Sequence, residues 1–448
     1  MKKETIFKTI LNRIKIGKSD SVLKISLCFA MVLFPLFSLS QTIASSQEIS
    51  SFQAIASSQE ISTPQIIHSS QVKSSSSITS QSYTIKHTPK IKREISEDSK
   101  RSFTNRNMFF PLYDTITISF IGDVMQHTPQ IRAAREVAKL LGDSSQYNYS
   151  NTFKNIENMI VDCDYMVANM ELTIGNPPYS GYPMFSSPPE IAHQAQKSGI
   201  DLFLLANNHI ADKGAKGIEK TLALYRSLGV QTTGVYLNQE EEERSNPLII
   251  DIKGVRFALF NFTYGTNGLI VPSPYIVCLE DTTHIKRVIE RAKRKGADFI
   301  IALPHWGLEY HLQPSDGQKK LANYMFDLGV DAIVGGHPHV TQPIVIKTNG
   351  KDVTYTVKGD SEVVQIVESE NISTTLDDKK RVIFYSLGNY VSNQSKPTQT
   401  QIGMFATLRF RKNTLTGEKE MIAPKWVYTY CYRPGEYLPN DYVVTPLF

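Results

Sequence analysis

Four of the ten histidines in this chain stand just after short apolar runs. His209 follows Asp201–Ala206, His305 follows Phe299–Leu303, and His337 and His339 follow Ala332–Val334. Acids and amides occupy equivalent places: Asp123 after Thr115–Ile121, Glu171 after Tyr165–Asn169, Asn208 beside His209, and Asn389 after Val382–Leu387. Carboxylate, imidazole and amide oxygen are donors that divalent transition metals accept, and the mixed set suits Mn, Fe or Zn better than Ca. Two such ions about 3.5–4 Å apart lower the pKa of a shared water and clamp the oxygens of a phosphoryl or acyl centre. On this reading Asp123 and Glu171 supply charge, Asn208 an amide oxygen, and His305, His337 and His339 nitrogen. His209 stays off the metal and protonates a leaving group. Glu309 and Asp212 are expected to support His305 and His209 from behind. Trp306, Tyr310, Phe185 and Tyr390 are candidates to line a substrate path.

Each feature alone has a plainer reading. Gly122-Asp123 after a strand is an ordinary turn. Asn207-Asn208-His209 is an N-cap cluster for a helix at Ile218. His305 beside Trp306 is a packed histidine. The triplet His337-Pro338-His339 is the sharpest single feature, since its two imidazoles reach two metals, or one metal and a substrate. What favours chemistry is the coincidence of six polar deposits, because open α/β sheets bind ligands at the carboxyl edge of their strands.

The elements that must position these residues alternate. The apolar, β-branched runs above, with Val255–Phe262, read as strands. Amphipathic stretches at Thr128–Leu141, Thr152–Val161, Pro189–Ser198, Ile218–Ser227, Thr283–Arg294 and Gly317–Leu328 read as helices, and the alternation predicts an α/β domain over 114–448. Met404–Arg411 and Met421–Tyr430 read as strands without an intervening helix. With Leu248–Ile252 they are expected to form a second, more antiparallel part of the sheet.

The first 113 residues have a different texture. A basic stretch ends at Lys24, and an apolar run of about 15 residues, Ile25–Leu39, precedes the small-x-small sequence Ser38-Leu39-Ser40. Spanning a membrane needs about 20 residues, so 1–40 reads as a signal peptide, with an uncleaved anchor and membrane tether as the alternative. Either places the domain outside the cytoplasm, in the periplasm or cell envelope. Residues 41–113 read as a disordered low-complexity spacer: IASSQEIS recurs at Ile43 and Ile55 and decays at Ile67, a period too short to build a core. The formal net charge is +5. Seven Lys/Arg against Glu4 and Asp20 before Gln41 account for it. The remainder is near neutral, with no field to draw it to nucleic acid or anionic lipid. Cys163, Cys278 and Cys431 lack CxxC spacing and read as three buried thiols rather than a structural zinc site or a disulfide framework.

Six motifs, FIGDVM (Phe120–Met125), NMELTIG (Asn169–Gly175), LANNHIADKG (Leu205–Gly214), PHWGLEY (Pro304–Tyr310), GGHPHVTQP (Gly335–Pro343) and YSLGNYV (Tyr385–Val391), occur in an order that resembles the CapA family of capsule or poly-γ-glutamate biosynthesis proteins, a branch of the calcineurin-like metallophosphoesterases. The resemblance spans Thr115 to Val391. It implies a four-layer α/β/β/α sandwich with a dinuclear-type site at one edge. Asp123, Glu171, Asn208, His305, His337 and His339 are the implied ligands and His209 the implied acid. The wider superfamily opens with Asp-x-His, but position 125 is Met. One metal position is thus short of a ligand, and a single-ion site stays open beside a two-ion one. His127 either fills that gap or simply starts the helix at Thr128. The function implied is an exported metal-dependent hydrolase acting on phosphoester or related envelope-polymer linkages. The alternative is a non-enzymatic envelope factor assisting polymer assembly or export.

Overall fold

The computed structural model describes residues 112–348, 351–357, 364–370 and 380–447. The leader, and the spacer except for its last two residues, lie outside them. In chain order the elements are β1 (Tyr113–Val124), α1 (Thr128–Leu141), α2 (Ser150–Lys154), α3 (Glu157–Val161), β2 (Tyr165–Asn169), α4 (Glu190–Lys197), β3 (Leu202–Leu204), α5 (Gly214–Ser227), β4 (Gln231–Thr233), β5 (Val235–Tyr236), α6 (Gln239–Ser245), β6 (Leu248–Ile252), β7 (Val255–Thr263), β8 (Ile276–Val277), α7 (Thr282–Arg294), β9 (Phe299–His305), α8 (Asp316–Asp327), β10 (Ala332–Val334), β11 (Ile344–Thr348), β12 (Lys351–Val357), β13 (Val364–Glu370), β14 (Arg381–Phe384), β15 (Asn389–Val391), β16 (Ile402–Asn413), β17 (Lys419–Tyr432) and β18 (Val443–Leu447).

Among the described residues the longer strands form two eight-stranded sheets. The first runs β18-β17-β16-β1-β2-β3-β4, with β15 paired to the end of β1; the second runs β13-β12-β11-β14-β10-β9-β7-β6. Strand alternation sorts side chains into three cores. Ile116, Ile118, Phe120 and Val167 of the first sheet meet Phe257, Leu259, Ile301 and Leu303 of the second. Ile121, Met166 and Ala168 point the other way, onto Ala134, Phe153, Ile191 and Ile218 of α1, α2, α4 and α5. Ile300 and Ala302 point away from the first sheet, onto Ile285, Val288, Leu321 and Met325 of α7 and α8. The layers are therefore helices, sheet, sheet, helices, the α/β/β/α sandwich that the family resemblance implies. Between the sheets the Phe410 ring lies 4.8 Å from Phe257 and 4.7 Å from Phe299, centroid to centroid. Burying each such ring contributes about 2–3 kcal/mol.

The helices follow their apolar spacing. Ile285, Val288, Ile289 and Ala292 fall at i, i+3, i+4 and i+7 on the buried face of α7. The Asp281 side chain caps its N-terminus by accepting from Thr283 N at 2.8 Å.

Some boundaries differ from the sequence reading. The stretch 152–161 is two short helices, because Ile156 relaxes to φ −106°, ψ 0° between them. The helix expected at Ile218 starts at Gly214. The antiparallel region is also corrected. β16, β17 and β18 extend the first sheet from β1, whereas β6 lies in the second sheet, antiparallel to β7. Lys253 and Gly254, both at positive φ, make a two-residue hairpin that folds β6 directly onto β7, so β6 cannot reach the tail. Cys163, Cys278 and Cys431 are buried and outside any disulfide among the described residues, as expected.

One buried charge cluster fastens α6 to α7. Glu242 accepts from Arg291 Nη2 at 2.9 Å and Asn246 Nδ2 at 2.8 Å, and His284 Nε2 lies 2.9 Å away. Burial alone would raise its pKa, but the hydrogen bonds from His284, Asn246 and Arg291 outweigh that and pull it down to about 2. The folded carboxyl thus binds its proton more weakly than the unfolded one. The stability this contributes, about 3 kcal/mol, is full above the ordinary glutamate value near 4.5 and is lost as pH falls toward about 2. Glu242→Gln is expected to lose that amount at pH 7 and to flatten the acid limb of a urea-midpoint-versus-pH profile. An unchanged limb would contradict this.

Candidate metal centre

The carboxyl ends of parallel strands β1, β2 and β3 in the first sheet and of β7, β9, β10 and β14 in the second converge on one edge. Asp123 is paired at that edge with Asn169 and with Asn389. The residue before it must be glycine: a Cβ on Gly122 would lie 1.9 Å from the carbonyl oxygen of Gly388. That close approach lets β15 pair with the end of β1 and seats Asp123 fully buried. Its Oδ1 accepts from Asn169 Nδ2 at 2.7 Å, and its Oδ2 accepts from the His337 backbone N–H at 3.2 Å. His339 Nδ1 lies 3.2 Å from the same Oδ2. A Cβ on Gly336 would meet Asp123 Oδ1 at 2.7 Å, so the turn before His337 also needs its glycine.

The His-Pro-His triplet is held in strained backbone. His337 has φ 96° and His339 φ 59°, in the left-handed region that side chains rarely adopt. Such conformations cost about 1–3 kcal/mol each and persist where the surroundings over-determine them. His305, the last residue of β9, is bridged to Gly336. Its Nε2 lies 2.9 Å from Asn208 Oδ1 and its Nδ1 3.1 Å from Asn169 Nδ2. Asn208 Nδ2 donates to Asn267 Oδ1 at 3.3 Å, which turns the amide oxygen inward toward His305.

Glu171 lies at the middle of this set. It is fully buried, and neither carboxylate oxygen has a hydrogen-bond partner. His305 Nε2 and His339 Nε2 each stand 3.7 Å from its Oε1. Burial, and then the Asp123, Glu309 and Asp212 carboxylates, push its pKa well above the ordinary glutamate value. Burial, and then the neighbouring imidazoles, hold His305 and His337 well below the usual histidine value, so both rings are neutral and keep a lone pair. His337 Nδ1 is buried and unpartnered. Donor atoms of Glu171, His305 and His337 lie within 4.8 Å of one another, as do those of Asp123, Glu171 and His339. Buried polar atoms are normally paired. A buried carboxylate with two orphaned oxygens between neutral imidazoles is a donor set that would fit a divalent transition ion. A third trio, Glu242, Cys278 and His284, also meets the spacing. Arg291 already occupies its carboxylate.

His209 is in none of these groups. Its Nδ1 lies 2.9 Å from Asp212 Oδ2, which also accepts from the Phe185 backbone N–H at 2.7 Å. The Phe185 ring packs edge-on against the imidazole at 4.5 Å. With Nδ1 engaged by Asp212, Nε2 is the nitrogen left to exchange a proton. His127 starts α1: its backbone N–H donates to Gln130 Oε1 at 2.8 Å, and burial lowers its pKa to about 4. Asn389 Oδ1 lies 3.1 Å from His339 Nδ1. Glu309 lies beside His337 and His339 rather than behind His305, whose nitrogens face Asn169 and Asn208.

Of the four aromatics considered for a substrate path, three are packing. Trp306, Phe185 and Tyr390 are buried, and Trp306 Nε1 donates to the Tyr385 carbonyl at 2.9 Å. Tyr310 is exposed, with its ring 6.0 Å from His339. Three neighbours of the site have no site role in the sequence reading: Asn169, which contacts both Asp123 and His305; Asn267, which orients Asn208; and Tyr264, whose ring lies 4.4 Å from His337. The last two follow β7, a seventh strand end on the same edge, and that position was the available signal.

The family described as Bacterial capsule synthesis protein PGA_cap matches residues 117–394. The chain is 25% identical over 311 residues to the capsule biosynthesis protein CapA of Bacillus anthracis, covering 67% of this chain and 65% of that one. It is 28% identical over 313 residues to the PGA biosynthesis protein CapA of Bacillus subtilis (strain 168), covering 67% and 69%. The chain thus spans about two-thirds of the length of these relatives. Among solved structures, the NAD nucleotidase of Haemophilus influenzae aligns at TM-score 0.37 with 12% identity, covering 70% of this chain and 50% of that one.

Proposed function

The chain belongs to the bacterial capsule synthesis protein PGA_cap family, and from that premise we propose that it is an exported, metal-dependent hydrolase of phosphoester or related linkages in a capsular or polyglutamate envelope polymer. The observation that carries the reading is the buried Glu171 carboxylate, unpartnered and 3.7 Å from two imidazoles. A folded chain retains such an arrangement at a cost in stability, and a bound cation offsets it. Asp123, Glu171, Asn208, His305, His337 and His339 are the residues that would hold one or two ions of Mn, Fe or Zn. Such an ion would supply a hydroxide nucleophile at neutral pH and would polarise the oxygens of the bond to be cleaved.

The chain's own residues supply the rest. His209, oriented by Asp212, gives a proton to the leaving group. The exposed face of Tyr264 beside His337, and Tyr310 beside His339, flank the approach to the buried donors. The basic leader and apolar run support export to the envelope.

The full chain, reloaded with Mn, should hydrolyse an aryl phosphomonoester or phosphodiester, or shorten poly-γ-glutamate, only with the ion present. His337→Ala should remove that activity. Equal rates for wild type and His337→Ala on every substrate would count against a hydrolytic role and favour a non-enzymatic assembly factor.

A further inference from the structure

The two donor groups of the centre share Glu171. Around His305 stand Glu171, His337 and the Asn208 oxygen, four donors in all. Around His339 stand Asp123, Glu171 and the Asn389 oxygen, which lies 3.1 Å from its Nδ1. Met125, two residues after Asp123, is buried with its sulfur 3.6 Å from the Ser392 hydroxyl and offers no nitrogen or oxygen.

A further carboxylate stands on the open side. One oxygen of Glu309 and ring nitrogens of His337 and His339 lie within 4.8 Å of one another. Glu309 is exposed, while both imidazoles are buried. Its loop is fastened to the centre. The backbone N–H of Tyr310, which has φ 65°, donates to the Pro338 carbonyl at 2.8 Å, inside the His-Pro-His turn. Gln342 Nε2 donates to the His311 carbonyl at 2.8 Å, and Gln318 Nε2 donates to Gln342 Oε1 at 3.0 Å. Glu309 is therefore held against the triplet by its neighbour's backbone. A second observation points to a cation there: His337 Nδ1 and both Glu171 oxygens are buried without partners.

We propose that Glu309 is a metal ligand of this chain, closing the position beside His337 and His339 from the solvent side. The inference rests on the metal centre proposed above. Glu171 then joins the two positions from within the fold and Glu309 caps them from without. Because its side chain is exposed and must be ordered on binding, the ion it helps to hold is the weaker of the two.

Titration of the full chain with Mn(II), counted by elemental analysis and by the free-ion EPR signal, tests this. Wild type should bind two ions. Glu309→Gln should raise the Kd of the weaker ion at least about 10-fold and leave the tighter one unchanged. Glu309→His, which keeps a donor but removes the charge, should recover most of that loss. Wild-type affinities for both ions in Glu309→Gln would overturn the assignment. So would a loss in Glu309→His as large as that in Glu309→Gln, which would point to charge alone. A wild-type chain that binds one ion overturns this inference and leaves the centre standing; one that binds none removes both.

Discussion

Replacing Glu171 by methionine is expected to stabilise the metal-free chain by about 1–3 kcal/mol and to abolish its stabilisation by divalent metal. The first effect follows from the two carboxylate oxygens, buried and without partners. Methionine fills a similar volume and leaves nothing to be desolvated. The second follows because Glu171 belongs to both donor groups. With metal at about a thousand times its Kd, wild type should gain about 4 kcal/mol and the variant nothing.

The pH dependence of the metal-free chain gives the same carboxyl a second signature. Its folded pKa is raised by burial and by neighbouring acids, so the folded state binds the proton more tightly than the unfolded state. Metal-free wild type should therefore lose stability as pH rises from about 4.5 toward the raised value, and Glu171→Met should lose that slope. His305 and His337 work in the opposite direction. Burial holds them neutral, and they cost stability as pH falls below the ordinary histidine value of 6.5. Chemical denaturation with chelator present, across pH, reads both slopes. A Glu171→Met chain less stable than metal-free wild type at pH 8 would contradict the reading of Glu171 as a site that sacrifices stability for binding.

His209→Asn is expected to lower turnover about 100- to 10,000-fold while leaving the metal content unchanged. The asparagine amide can replace Nδ1 in the contact with Asp212 but cannot carry a proton at the position of Nε2. The loss should fall on kcat and should shrink for substrates whose leaving group needs no proton, such as a nitrophenolate. If the variant loses metal together with activity, His209 is a ligand and the assignment of a proton donor fails.

Much of this site is legible in the sequence because its chemistry sits at strand ends. Tyr165–Asn169 and Ala332–Val334 are β-branched or apolar runs whose bounds the structure reproduces residue for residue. A polar residue just past such a run lies at the sheet edge by construction. Less legible are the residues whose role depends on register or loop path. Asn169 reads as the last residue of a strand; only the shift between Ile121 and Asp123 in the β1–β2 ladder puts its amide against Asp123. Glu309 has two neighbours in the His-Pro-His turn because of the positive φ at Tyr310, which its local sequence does not announce. The placement of β6 is different in kind. Lys253-Gly254 between two apolar runs is a hairpin signal present in the sequence, and giving it weight would have paired β6 with β7.

The central claim is that Asp123, Glu171, Asn208, His305, His337 and His339 form a metal centre. Elemental analysis of the purified full chain, after incubation with Mn, Fe and Zn and removal of free ions, tests it most directly. The result expected is at least one equivalent of a divalent transition metal per chain, reduced to background in Glu171→Met and Glu171→Gln variants that keep wild-type circular dichroism. A wild-type chain that holds no more metal than those variants would contradict it.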